Sequence, residues 1–188
     1  DYIVQLNNDT ELLTPNWLQE MLGFAQRDDV GAVGAELFYP DNTIQHAGII
    51  IGIGGVAGHV FKNLPKGIHG YFSKDAMIQN LSAVTAACIM TPKSIYDEVG
   101  YMDEKFKVAF NDVDFCLKIR QTGKLIVYNP YVQFTHYESK SRGFEDTPEK
   151  KKRFQSEVDR FHDKWQSVLD KGDPYYNRNY RLDTDLPK

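Results

Sequence analysis

Two carboxylates, Asp112 and Asp114, open the stretch FNDVDFCLKIRQTG, Phe110 to Gly123, where an amphipathic helix is predicted to begin. Asn111 suits the N-cap, and Gly123 suits the position after the last turn. Val113, Leu117 and Ile119 recur at roughly helical spacing, so one face packs while Asp112 points into a loop-lined space. A carboxylate there can accept a proton or hold a metal; the pair could equally do no more than favour the positive end of the helix dipole. Further polar groups stand at the ends of predicted strands. Asn7-Asn8-Asp9 follows the apolar run DYIVQL, and strand C-termini in an α/β sheet face the ligand crevice. His136 ends a second apolar run and precedes ESKSRG, which carries Ser139, Ser141 and Arg142. The guanidinium fork of Arg142 suits phosphate oxygens, or a salt bridge to Glu138 or Glu145.

Other candidates have weaker spacing. Gly52 to Gly58, GIGGVAG, lacks a G-x-G-x-x-G opening a helix and reads as a flexible loop or bulge. His46, His59 and His69 show no metal-ligand spacing and read as surface or hydrogen-bonded histidines.

The elements that must position these groups alternate between strand and helix. DYIVQL is a strand running into the polar turn NNDTEL. Thr14 and Pro15 suit a helix start, and Trp17, Leu18, Met21, Leu22 and Ala25 form the helix's apolar stripe. Strands are expected over 30–39 and 43–53, with a turn at Pro40-Asp41-Asn42. Residues 66–79 read as an irregular loop, 80–91 as one long strand of small residues, and 92–99 as a short helix stopped by Gly100. Strands over 125–128 and 132–136 follow the Asn111 helix. Thr147-Pro148 starts a long amphipathic helix with Phe154, Val158, Phe161, Trp165 and Val168 on one side, expected to pack back on the sheet. The tyrosine-rich tail from Asp173 reads as an extended arm over the site.

Composition narrows the function. With 188 residues and 41% hydrophobic content the chain can bury a core and is ordinarily one domain. A net charge of -4 without a basic stripe argues against duplex nucleic acid as a partner. Cys88 and Cys116, inside apolar stretches, read as buried free thiols of a reducing compartment. The longest apolar stretch is broken by glycines, so no membrane span is expected. The chain opens at Asp1 inside a predicted strand, as expected of a piece of a larger protein.

Taken together, LNNDTEL, NLSAVTAACIM, FNDVDFCLKIRQTGKLIVYNP, His136 with ESKSRG, and DPYYN resemble the second half of a family 2 glycosyltransferase domain of the GT-A type. Within that family the likeness is to bacterial enzymes of cell-surface polysaccharide biosynthesis. The resemblance implies an α/β fold, a Rossmann-like mixed sheet flanked by helices, with the N-terminal nucleotide-binding part missing. Residues 1–147 would then be the C-terminal part of the catalytic domain, and 148–188 a packing helix and extended tail of it.

The implied activity is metal-dependent, inverting, non-processive transfer from a nucleotide-diphosphate sugar to a hydroxyl of a glycan or lipid-linked glycan. Asp9 falls in the family's D-x-D metal motif, and His136 matches a histidine that completes the metal site in some relatives. Mn²⁺ or Mg²⁺ is the implied ion. Asn7 replaces the motif's first acid and offers only a neutral oxygen or a hydrogen bond to sugar or ribose. Asp112 matches the catalytic base; its usual acidic neighbour is Asn111 here. Ser139, Ser141 and Arg142 would grip diphosphate or acceptor. The processive Q-x-x-R-W motif is not present. A cytoplasmic location follows, with peripheral membrane association through the parent protein. Two alternatives share parts of this pattern: a sugar nucleotidyltransferase, and a non-catalytic carbohydrate-binding or assembly module. A haloacid-dehalogenase-type phosphatase would need an aspartate where Asn7 stands.

Overall fold

The structure, a computed structural model, describes residues 1–138 and 147–186. Its centre is a mixed sheet, and nearly every other element is placed by one strand, β3 (Val30–Phe38), which is buried along its whole length. Because both faces of β3 are covered, VGAVGAELF is close to uniformly apolar rather than alternating. The elements before it are β1 (Tyr2–Leu6), β2 (Thr10–Leu12) and α1 (Trp17–Ala25). After it come β4 (Ile44–His46), β5 (Ile49–Ile51), β6 (Ala57–His59), β7 (Gln79–Leu81) and β8 (Cys88–Pro92). The last elements are α2 (Lys93–Glu98), α3 (Asn111–Gln121), β9 (Leu125–His136) and α4 (Pro148–Lys171).

Among the described residues the sheet runs β1-β8-β3-β9-β2, with β4 added beside β3 and β7 beside β9. β3 and β9 are parallel, while β8 is antiparallel to both β1 and β3. Strands β1, β3 and β9 therefore end at the same edge of the sheet. Strand β8 begins there. Residues 7–9, 39, 85–87 and 136–138 are delivered together to that edge, where ligand crevices of α/β sheets form.

Alternation sorts the core into two layers. Val33, Ala35 and Leu37 pack with Met21 and Ala25 of α1 and with Phe134. Ala32 and Phe38 join the opposite layer, with the β5–β6 hairpin, Phe115 and Ile119 of α3, and Phe161 and Trp165 of α4. Gly34 lets the segment after β7 cross the sheet, since a Cβ there would stand 2.5 Å from Val84 Cβ.

Several sequence expectations are corrected by pairing. The apolar run 80–91 is two strands, because β7 pairs with β9 whereas β8 pairs with β1 and β3. The intervening residues are left as a loop at the sheet edge. Residues 43–53 likewise split into β4 and β5 at Gly48, whose φ of 110° turns the chain. The glycine run 52–58 makes the β5–β6 hairpin. Conversely, 125–136 is one strand: Ala35 pairs with Asn129 and Glu36 with Gln133, so the intervening residues bulge around Pro130. Part of NNDTEL pairs as β2. Thr14 caps nothing; it bonds to Tyr131 O and Gln133 N, and α1 starts after Asn16. Leu18 and Leu22 of its expected apolar stripe are exposed.

Helix α3 begins as expected near Asn111, but Phe110 holds the N-cap position with a left-handed φ of 62°. Such a conformation is costly for a bulky residue and persists where its surroundings impose it. Those surroundings come from α4. The Phe110 ring packs on Phe154 and Phe161, at centroid distances of 5.7 and 5.4 Å. Buried Glu157 accepts hydrogen bonds from the amides of Lys107, Val108 and Ala109 at 2.8–3.0 Å. Inside α3, the Asp114 carboxylate takes Trp165 Nε1–H at 2.8 Å and pairs with Lys164 at 2.6 Å. The long helix is thus the expected packing helix, with Thr147 as its cap.

Cys88 and Cys116 are buried and free, with thiols that burial pushes up to about 12. Among the described residues no helix is long and apolar enough to cross a membrane.

Truncating Glu157→Ala leaves three amides without their acceptor and should destabilise the chain by about 2–3 kcal/mol. Urea unfolding would measure it; a change below about 0.5 kcal/mol would mean that the loop before α3 is held by something else.

Candidate functional site

The convergence at the sheet edge can be built outward from His136, the last residue of β9. Gln45 of β4 contacts it twice. Gln45 Nε2 donates to the His136 carbonyl at 3.3 Å and to Glu138 Oε2 at 3.3 Å. The other end of that amide, Oε1, must therefore accept, and it lies 2.6 Å from His136 Nδ1. Nδ1 carries a hydrogen and Nε2 is turned toward the loop after β1. Glu138 in turn accepts from Tyr39 Oη at 3.1 Å, at the end of β3.

Facing His136 Nε2 are Asp9 Oδ1 at 3.1 Å and the Asn7 side-chain amide at 3.1 Å. Asp9 itself is held through its backbone, with Tyr137 N donating to Asp9 O at 2.9 Å. A carboxylate oxygen and an imidazole nitrogen this close need a cation between them, either a proton or a metal ion. Two features fit a divalent ion. The imidazole's far nitrogen is already engaged by Gln45, the outer-shell arrangement that aims a histidine at a metal. The Asn7 amide, turned about its Cβ–Cγ axis, puts its oxygen where its nitrogen is. Among the described residues no cluster of three or more His, Cys, Asp or Glu surrounds one point. Protein ligands would then be Asp9 and His136, with Asn7 as a neutral oxygen and the remaining positions left to water or substrate oxygens.

Asp112 lies at the start of α3. Its Oδ1 accepts from Val113 N at 2.8 Å, and its Oδ2 from Ala86 N at 3.4 Å in the segment preceding β8. Asn111 is the first helical residue rather than the cap, and its Oδ1 satisfies the Asp112 amide at 2.8 Å. The carboxylate keeps free lone pairs on both oxygens for a further partner. Asp114, one half-turn on, is committed to Trp165 and Lys164 and is wholly buried. Its role is to hold the helix.

Next to Asp112 stands a group that sequence spacing missed. His46 Nδ1 and His59 Nδ1 are 3.0 Å apart, brought together by the β5–β6 hairpin. Thr85 N donates to His46 Nε2 at 3.3 Å, one residue before the amide that reaches Asp112. Burial keeps His46 well below the ordinary histidine range, helped by the charges of His59 and His136. Burial also lowers His59, against the pull of Asp112, Glu138 and Asp185. The tail packs on this hairpin: Gly54 N donates to Leu182 O and Phe61 N to Asp185 O, at 2.9 and 2.7 Å. His69 lies elsewhere, paired with Asp75 at 2.9 Å. Ser139, Ser141 and Arg142 lie outside the described residues.

A further buried acid lies in β3. Glu36 is 5% exposed and accepts from Gln133 Nε2–H at 2.8 Å. Burial raises its pKa from 4.5 to about 7, with the Asp75 charge adding to the shift. A surface concavity lined by Asp103, Lys105, Arg160 and Lys164 shares no residue with the site.

The protein is therefore a mixed α/β chain with an acidic, histidine-bearing centre at one sheet edge. It is similar to the uncharacterized protein y4gI of Sinorhizobium fredii (strain NBRC 101917 / NGR234), 48% identical over 184 residues. It is also similar to the O-antigen biosynthesis protein RfbC of Myxococcus xanthus, 37% identical over 190 residues. Each similarity covers 97% of this chain, which spans only 20% and 14% of those two proteins. No family model matches the chain.

Because the folded-state pKa of Glu36 lies above its unfolded value, the folded chain binds that proton more tightly. Its contribution is fully present below about pH 4.5 and is lost as pH rises to about 7. Glu36→Gln should remove this loss. Urea unfolding should show the variant about 1–3 kcal/mol more stable than wild type near pH 8 and no more stable near pH 4. Equal stabilities near pH 8 would contradict the raised pKa.

Proposed function

We propose that this chain carries the catalytic centre of a GT-A-type glycosyltransferase acting in cell-surface polysaccharide biosynthesis. The observation that carries this reading is the meeting of Asn7 and Asp9 with His136, residues 129 positions apart for the first pair, on the sheet edge that also receives Asp112. The name of the Myxococcus relative, O-antigen biosynthesis protein, supports the pathway class.

In this reading Asp9 and His136 hold Mn²⁺ or Mg²⁺, with Gln45 fixing the imidazole and Asn7 adding a neutral oxygen or a hydrogen bond to the donor. The bound ion supplies positive charge against the departing nucleoside diphosphate. Asp112 is the base: its free lone pair takes the hydrogen of an acceptor hydroxyl as the oxygen attacks the anomeric carbon from the face opposite the leaving group. Its fixed backbone donors orient the carboxylate without consuming it. The backbone amides of Thr85 and Ala86 hold the floor beside it. A nucleotide-sugar donor and a glycan or lipid-linked acceptor are the substrates implied.

Two experiments test this. Mn²⁺ titration of the chain, with and without a nucleoside diphosphate, should show one site weakened at least about tenfold by Asp9→Ala and by His136→Ala, and about 10–100-fold by Gln45→Ala. Binding that ignores all three substitutions would refute the metal assignment. In the longer parent protein, Asp112→Asn should lower transfer about 10²–10⁴-fold with donor affinity unchanged. Near-wild-type transfer would remove Asp112 from the role of base.

A further inference from the structure

A single backbone amide determines the hydrogen positions of two side chains beside Asp112. Thr85 N–H can only donate, so His46 Nε2, 3.3 Å away, is the bare nitrogen of that ring. His46 Nδ1 then carries the hydrogen. It points at His59 Nδ1, 3.0 Å away, which must accept. His59 Nε2 is thereby left with a hydrogen. No group among the described residues accepts a hydrogen bond from it.

Both rings are locked. His46 is wholly buried, and its ring meets that of His59 at 81° and that of Tyr128 at 80°. Neutrality follows from burial, which lowers both histidines from their ordinary range. The charges acting on His59 are those of Asp112, Lys62, Glu138 and Asp185, in that order. Three carboxylates against one ammonium make this an unwelcoming place for an anion without a metal. A neutral hydroxyl is the better match.

We infer that His59 is a second contact for the acceptor sugar, its Nε2–H donating to the hydroxyl oxygen whose hydrogen Asp112 accepts. The inference rests on the transfer reading above. A hydroxyl oxygen has one hydrogen and two lone pairs. The hydrogen goes to the Asp112 carboxylate, one lone pair is held by His59, and the other forms the bond to the anomeric carbon. The bond from that carbon to the diphosphate breaks, and the leaving group departs with its electron pair. His59 keeps its proton throughout, so it orients the nucleophile and is no acid or base. His46 is a positioning residue, acting only through His59. Orientation of this kind lowers the barrier by holding the reacting oxygen in a near-attack geometry.

Two measurements separate this inference from the reading beneath it. Nitrogen-15 NMR of the histidine rings in this chain should show neutral His46 as the Nδ1–H form and neutral His59 as the Nε2–H form near pH 7. Either ring in the opposite form, or His59 as imidazolium, overturns the proposal whatever the activity. In the parent protein, transfer is assayed with UDP-, GDP- and dTDP-sugars and a panel of methyl glycosides as acceptors. His59→Ala should raise the acceptor KM about tenfold, the worth of one hydrogen bond, with donor KM unchanged and the chain still folded. His59→Gln should recover part of the loss, since its amide nitrogen can reach the place of Nε2, and His46→Ala should shift the acceptor KM in the same direction. An unchanged acceptor KM, or an equal loss on donor and acceptor, overturns the role of His59. A wild-type protein that transfers nothing from any of these donors overturns the transferase reading, and this role with it, even where the ring forms are as expected.

Discussion

The constraint on which the site depends is the grip of α4 on the start of α3, made by two buried carboxylates. Glu157 of α4 gathers three successive amides, and Asp114 of α3 takes the indole N–H and an ammonium from α4. Buried charges are tolerated only where hydrogen bonds or opposite charges replace water: Glu157 has its three amides, and Asp114 has the indole and the Lys164 ammonium on one oxygen, with Lys118 3.9 Å from the other. Between these anchors lies Phe110, in a left-handed conformation that a free chain would avoid. The next residues are Asn111 and Asp112. A carboxylate at a helix start keeps a reproducible direction only where its backbone is fixed, and here that direction is transmitted from a helix remote in sequence.

The second organising feature is the division of work between two neighbours in β4. Gln45 reaches His136 and sets which nitrogen faces Asp9; His46 reaches His59 and sets which nitrogen faces away from the hairpin. One short strand thus orients two histidines, His136 at the end of β9 and His59 in β6. Neither orienting residue needs to meet a ligand. Short buried strands suit this task, because their backbone is held by the sheet while side chains leave it at defined positions.

Mixed sheet topology explains why the pieces meet. Parallel ends of β1, β3 and β9 place Asp9, Tyr39 and His136 on one edge, and the reversed β8 brings its preceding amides to the same edge. Thr85 and Ala86 supply donors to a histidine and to an aspartate through adjacent peptide groups. The tail then passes the β5–β6 hairpin and leaves Asp185 beside it. The site is therefore assembled from elements spread over almost the whole chain.

Local pattern was sufficient for some of this. The β3 strand, the helices near 17–25, 93–98 and 111–121, and the long capped helix from Pro148 could be read from apolar periodicity, Thr147-Pro148 and Gly123, since caps and periods act within a few residues. Asp9, Asp112 and His136 were legible as strand-end and helix-start groups for the same reason. What sequence could not decide was pairing. Residues 80–91 and 43–53 look like single strands because apolar runs do not reveal where a chain changes neighbours, whereas the bulge near Pro130 hides a single strand behind a turn signal. The roles of Gln45, His46, His59 and Glu157 were also unreadable. Each depends on a hydrogen bond to a partner distant in sequence, and only the folded sheet decides which donors and acceptors share the space away from water.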